Sequence, residues 1–177
     1  MSKLGTVTAP GTVRLERLLP GPIERIWAYL TEPDKRAKWL AGGAMELRVG
    51  GSVKLEFRHA DLSAEKTTPE RFKNKECGHS LSGRVTQCDP PRLLSYTWGD
   101  PEGGPSEVTF ELTPRGANVL LVITHSRLPD RKDMVGVASG WDVHVGILDD
   151  VLNGREPRPF WTTHARLAAE YEQRLPL

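Results

Sequence analysis

Cysteine is scarce in this chain. Cys77 and Cys88 are the two present, they form no C-x-x-C pair, and a disulfide-held scaffold is excluded. Long apolar runs are missing as well. No stretch approaches the ~18 residues that span a bilayer, and the opening MSKLGTVTAPG lacks the apolar run of a signal peptide. An excess of one charge is also missing. Lys and Arg number 24 against 23 Asp and Glu, for a net charge of +1, and the two signs are interspersed. Nucleic-acid binding leaves a basic excess or stripe, so nucleic acid is not an expected partner. Neither is a membrane, and a reducing cytoplasm is the expected location. There is no internal repeat, low-complexity tract or strand–helix–strand alternation. What is present is 177 residues, 38% of them hydrophobic. That is enough for one domain burying roughly 70% of its unfolded surface.

The pattern along the chain separates strands from helices. Residues 1–11 are small and polar and read as a flexible N-terminal tail. TVRLERLL, 12–19, alternates as a half-buried strand and is broken by Pro20-Gly21-Pro22. Ile23, Ile26, Trp27 and Leu30 are spaced as one helix face. DKRAKWL, 34–40, predicts a second short helix. AMELRV and SVKLEFRH flank Gly50-Gly51, which predicts a hairpin. Residues 60–79 are aperiodic and predict a long loop. Four further strands follow, in SGRVTQC, LLSYTW, EVTFELT and NVLLVITH, separated by proline- and glycine-rich turns. Next comes an amphipathic helix over about 133–153, whose stripe is Trp141, Val145, Leu148 and Leu152, at spacings of four, three and four. Asp142, Asp149 and Asp150 fall off the stripe and His144 lies at its flank. The remainder, 154–177, is helix-compatible, with Phe160, His164, Leu167 and Tyr171 near one face.

Consecutive strands joined by short turns pair antiparallel. Strands grouped apart from helices give an α+β arrangement. A sheet with one apolar face needs a cover, and the 133–153 helix is the element suited to it. Burial of its four stripe residues would contribute about 6–12 kcal/mol before entropy, so stability alone accounts for the stripe.

Several motifs in fixed order carry a resemblance. They are LLPGPIERIWAYLTEPDKRAKWL, the Gly50-Gly51 turn, Gly83-Arg84-Val85, DPPRLLSYTW at 89–98, Ser106 to Thr109, LLVITHSRL at 120–128 and Gly140-Trp141. Together they resemble the bacterial SRPBCC proteins related to the C-terminal domain of the activator of Hsp90 ATPase. The resemblance covers about 12–153 and leaves 154–177 as an additional segment. It implies a helix-grip (Bet v 1-like, START-like) fold, in which a curved antiparallel sheet of about six or seven strands wraps a long C-terminal helix. Two short helices follow the first strand, and a cavity often lies between sheet and helix.

The residues favour binding over catalysis. Strand parity turns Leu15, Phe57, His59, Tyr96, Trp98, Phe110, Ile123 and His125 inward. With Trp141, Val145 and Leu148 from the long helix and Trp39 from the second short one, they form the expected ligand-binding set. It is aromatic and mostly neutral, which suits a small hydrophobic or aromatic molecule. His125 reads as a structural histidine at a sheet end, as a polar anchor for a ligand, or as a base. No catalytic residue is assigned, because Ser126 points to the opposite face from His125 and there is no G-x-S-x-G elbow. Glu76, Cys77 and His79 lack the further ligands zinc requires, so neither metal nor cofactor is expected. Two alternatives remain. One is a cofactor-free enzyme of the polyketide-cyclase or hydrolase kind, using His125 or His59. The other is a protein-interaction domain like the Hsp90 activator. The activator's N-terminal domain has no counterpart in the roughly eleven residues before the first strand. The last segment, with Phe160, Trp161 and Tyr171, is expected either to cover the outside of the fold or to meet a second copy of the chain, which makes a homodimer a further candidate partner.

Overall fold

The structure is a computed structural model, and it describes residues 4–70, 72, 78–99 and 106–175. Seven strands form one antiparallel sheet: β1 (Thr6–Ala9), β2 (Thr12–Pro20), β3 (Ser52–Phe57), β4 (His79–Asp89), β5 (Leu93–Trp98), β6 (Ser106–Arg115) and β7 (Asn118–Ser126). Their order across the sheet is β1-β2-β7-β6-β5-β4-β3. Helices α1 (Ile23–Thr31) and α2 (Pro33–Arg36) follow β2. Helix α3 (Arg131–Leu152) crosses the sheet, and α4 (Phe160–Arg174) ends the chain. This is the helix-grip arrangement that the sequence motifs imply.

Alternation explains which face each strand buries. Val13, Leu15, Arg17 and Leu19 of β2, Val53, Leu55 and Phe57 of β3, and Val108, Phe110 and Leu112 of β6 are buried every second residue. Their partners across the ladder keep that parity, with Leu15 opposite Ile123 and Phe110 opposite both Ile123 and Leu94. An irregularity between Val85 and Gln87 interrupts the β4–β5 register.

Three expectations need correction. Residues 6–9 are not a loose tail but strand β1, paired with β2 through Thr6–Arg14 and Val7–Val13. The stretch before Gly50-Gly51 is not a regular hairpin arm. Its backbone pairs with β3 at isolated bridges, Gly42–Glu56 and Met45–Val53, and the Glu46 side chain accepts from the N–H and hydroxyl of Ser52. Gly50 takes φ +85° and Gly51 lies against the Glu46 carbonyl, so the chain turns too tightly there for a ladder to form. The second short helix stops at Arg36, whose buried guanidinium donates to the carbonyls of Thr31, Ala41 and Gly43 and pins the loop that follows. In the 60–79 segment, Leu62, Ser63 and Thr68 are nevertheless buried. Glu76 and Cys77 lie outside the described residues.

Helix α3 starts at Asp130, whose side chain accepts from the Asp133 N–H. It runs 22 residues, about 33 Å at 1.5 Å per residue. Trp141, Val145, Leu148 and Leu152 are buried against the sheet, as their spacing predicts. The opposite face is buried as well, under α4. Asp142 accepts from Arg17 (2.7 Å) and Tyr171 (2.6 Å), and Tyr171 in turn accepts from the Gly5 N–H (2.7 Å). Asp150 is held by Arg158 at 2.8 Å through two nitrogens. Burial alone would raise the Asp150 carboxyl, but the hydrogen bonds and charge of Arg158 hold it below its ordinary value. Two of the three aspartates that fall off the apolar stripe, Asp142 and Asp150, are therefore the rivets between α3 and its neighbours.

Candidate functional site

A cavity of about 1180 Å³ lies at one end of the fold, bounded by β3, β4, β5 and β7 on one side and by α3 and α4 on the other. Phe57, His59, His79 and Trp98 come from the sheet side. Trp141 and His144 come from α3, and Phe160, Trp161 and His164 from α4. The chain has five histidines and all five line this space. Exposed residues Lys132, Asp133 and Glu172 mark its mouth.

The walls are made of ring faces and edges. Phe57 and His79 stack nearly parallel, with centroids 4.8 Å apart. Phe160 meets Trp161 edge-on at 4.7 Å, and Phe72 stacks on Trp161 at 4.9 Å. Trp98 and Trp141 approach at 5.2 Å across the gap between sheet and helix. Offset and edge-to-face pairs of this kind are the arrangements that aromatic rings prefer.

Of the twelve residues predicted to bind ligand, the structure brings Phe57, His59, Trp98, His125 and Trp141 to this cavity. The other seven fill the core instead. Trp39, Tyr96, Phe110, Ile123, Val145 and Leu148 are essentially inaccessible, and Leu15 is buried beside them. Their parity is right and they do face inward. The space they face is closed by α3, leaving beside Leu15, Ile123 and Trp141 a gap of about 10 Å³, at the limit of one water. Sequence reasoning missed His79, His144 and the whole α4 wall. The signal for α4 was the Phe160 and His164 face, whose partner could not be named from the pattern.

His125 is occupied at both ring nitrogens. The Trp141 indole can only donate, and its Nε1 lies 3.0 Å from His125 Nδ1. Nδ1 therefore carries the lone pair and Nε2 the proton, which it donates to Ser106 Oγ at 3.0 Å. Ser106 passes its own proton to the Trp98 carbonyl at 3.3 Å. Burial pushes His125 down to about 4, so this neutral form persists at neutral pH. The pair superficially resembles a Ser–His dyad, but the tautomer is the reverse of what a base needs, since Nε2 cannot take a proton it already holds. His125 is a strut that fixes Trp98 and Trp141 relative to each other.

His144 is arranged differently. Its Nδ1 lies 2.7 Å from the Trp39 carbonyl, which can only accept, so Nδ1 holds the proton. Burial, together with nearby His164 and His79, pushes His144 down to about 4 against the raising effect of that hydrogen bond. It too is neutral. Among the described residues, no group of three or more His, Cys, Asp or Glu is placed to hold a metal ion.

Residues 20–153 match the activator of Hsp90 ATPase homolog 1-like protein family. The chain belongs to that family. The protein encoded by gene BPP1335 of Bordetella parapertussis, solved by NMR, is 45% identical, with a TM-score of 0.84 over 100% of this chain and 92% of that one. CalU16 from Micromonospora echinospora is 22% identical, with a TM-score of 0.69 over 98% and 96%. The conserved protein of unknown function EF2215 from Enterococcus faecalis is 19% identical, at 0.66 over 96% and 88%. These last two show the shared fold alone. No curated protein matches the chain. The family match ends at Leu152–Asn153, so the α4 wall of the cavity lies beyond it. No helix of the described residues is long and apolar enough to cross a membrane.

Proposed function

We propose that this family member is a binding module for a small, flat, hydrophobic or aromatic molecule held in the ring-lined cavity between β3–β5, β7, α3 and α4, without chemical turnover. The observation that carries the reading is the composition of the walls: Phe57, Trp98, Trp141, Phe160 and Trp161, with the uncharged imidazoles of His125 and His144 beside them. Pockets that hold small molecules combine apolar walls with a few placed polar groups. A catalytic reading requires a positioned acid or base with a matched pKa. His125 is locked in the wrong tautomer for that, and His144 titrates too low to be an effective base near neutrality.

Gly140 supplies a test that leaves the core intact. A Cβ built there meets nothing within 4 Å, and Gly140 lines the cavity from α3. Gly140→Leu should project a bulky side chain into the space while gaining about 1 kcal/mol of helix propensity. Calorimetric titration with 2-methoxynaphthalene is expected to show binding to the parent protein and at least tenfold weaker binding to the variant. Native mass spectrometry of the purified parent protein is expected to show a retained small molecule that the variant lacks. Equal binding to both proteins, or none to the parent, would overturn the reading.

A further inference from the structure

We propose that His144 Nε2 is the hydrogen-bond acceptor that selects, among planar aromatic molecules entering this cavity, those carrying a hydroxyl or N–H donor. The inference rests on the cavity being an aromatic-ligand site, and it narrows the ligand class from hydrophobic aromatics to phenols and their N–H counterparts.

The ring of His144 is fixed from behind. Its Nδ1–H donates to the Trp39 carbonyl, and Trp39 is itself immobilised, fully buried with its indole donating to the Tyr29 carbonyl at 2.7 Å. With the proton on Nδ1, the lone pair of a neutral imidazole sits on Nε2, across the ring from Trp39. His144 is 6% exposed and lines the cavity, and no group among the described residues hydrogen-bonds its Nε2. The rings of Phe160, His59 and Phe57 stand around it, with centroids 5.1, 5.8 and 6.2 Å away. The acceptor is therefore placed among aromatic walls, where a planar ligand would present its edge.

Charge decides which ligands suit it. Burial and the neighbouring His79 and His164 keep His144 uncharged at neutral pH. A neutral lone pair attracts a donor and repels a carboxylate. It also accepts a phenol's hydrogen bond without removing the proton, because a group that protonates only near pH 4 is a weak base. A buried acceptor left facing an ether or a bare ring stays unpaired, and sites built to pair with a ligand hydroxyl reject analogues that lack it.

Three probes of equal ring size separate the possibilities at pH 7: 2-naphthol, 2-methoxynaphthalene and 2-naphthoate. The parent protein is expected to bind the naphthol about tenfold or more tightly than the ether, and the naphthoate most weakly. His144→Phe is expected to bind naphthol and ether equally. Should that variant misfold, the parent protein still decides. The ¹⁵N resonance of unprotonated Nε2 is expected to move on adding 2-naphthol and to stay in place with 2-methoxynaphthalene. Equal affinity for naphthol and ether in the parent protein, or a preference that survives in His144→Phe, overturns the role of His144 while leaving the aromatic cavity standing. Failure of the parent protein to bind either probe overturns both.

Discussion

His125 and His144 are each held near pKa 4 in the folded protein, against 6.5 for an ordinary imidazole. The folded value is the lower one, so between pH 6.5 and 4 the unfolded chain takes up protons that the folded chain refuses. Stability is therefore intact above pH 6.5 and falls as pH drops toward 4, by roughly 3 kcal/mol per histidine at the limit. The urea midpoint is expected to be flat from pH 8 to 7 and to decline steadily from pH 6.5 to 4.5. In His144→Phe that decline should be about half as steep. An unchanged slope would show that His144 takes up its proton as readily in the folded protein as in the unfolded chain.

At the scale of elements, α3 is the member gripped from two sides, and its second side was hidden in the sequence. The Trp141, Val145, Leu148, Leu152 stripe is legible because apolar spacing registers burial against a sheet. Asp142 and Asp150 are illegible by the same measure, because a carboxylate buried in an ion pair looks like one in water. Only the positions of Arg17, Arg158 and Tyr171 in space reveal the difference. Tyr171 is the informative residue for this clamp, since its hydroxyl joins α4 to α3 and to the Gly5 backbone at once. Burial and the Asp142 charge both push its ionisation up, so it stays a donor at all working pH values. Tyr171→Phe keeps the packing and removes both hydrogen bonds, which should cost about 1–3 kcal/mol in denaturant unfolding. It should also loosen the α4 wall of the cavity, seen as faster amide exchange across Phe160–Arg174. A neutral effect on both measures would mean that the other ties of α4, the packing of Leu167 and Phe160 and the Thr162–Glu65 hydrogen bonds among them, hold it in place without the Tyr171 hydroxyl.

For the whole molecule, the sheet and its crossing helix were readable because strand alternation and turn chemistry at Asp89-Pro90-Pro91 and Pro114-Arg115-Gly116 act locally. The place of the cavity was not. Parity tells which way Tyr96, Phe110 and Ile123 point but not whether the space opposite is filled, and α3 fills it. Open volume lies instead toward Phe57, Trp98 and His144, with α3 and α4 across from the sheet. A fold that leaves aromatic surface unburied there is less stable than it would be with that surface covered, so a ligand that binds only the folded state must raise the melting temperature. At one hundred times its dissociation constant, 2-naphthol should add about 2.7 kcal/mol. At ~2–4 °C per kcal/mol for a domain of this size, that is a rise of roughly 5–10 °C. Gly140→Leu should start from a higher melting temperature and, with binding at least tenfold weaker, rise by at most about half as much. If parent and variant shift by the same amount, the probe is binding elsewhere on the molecule.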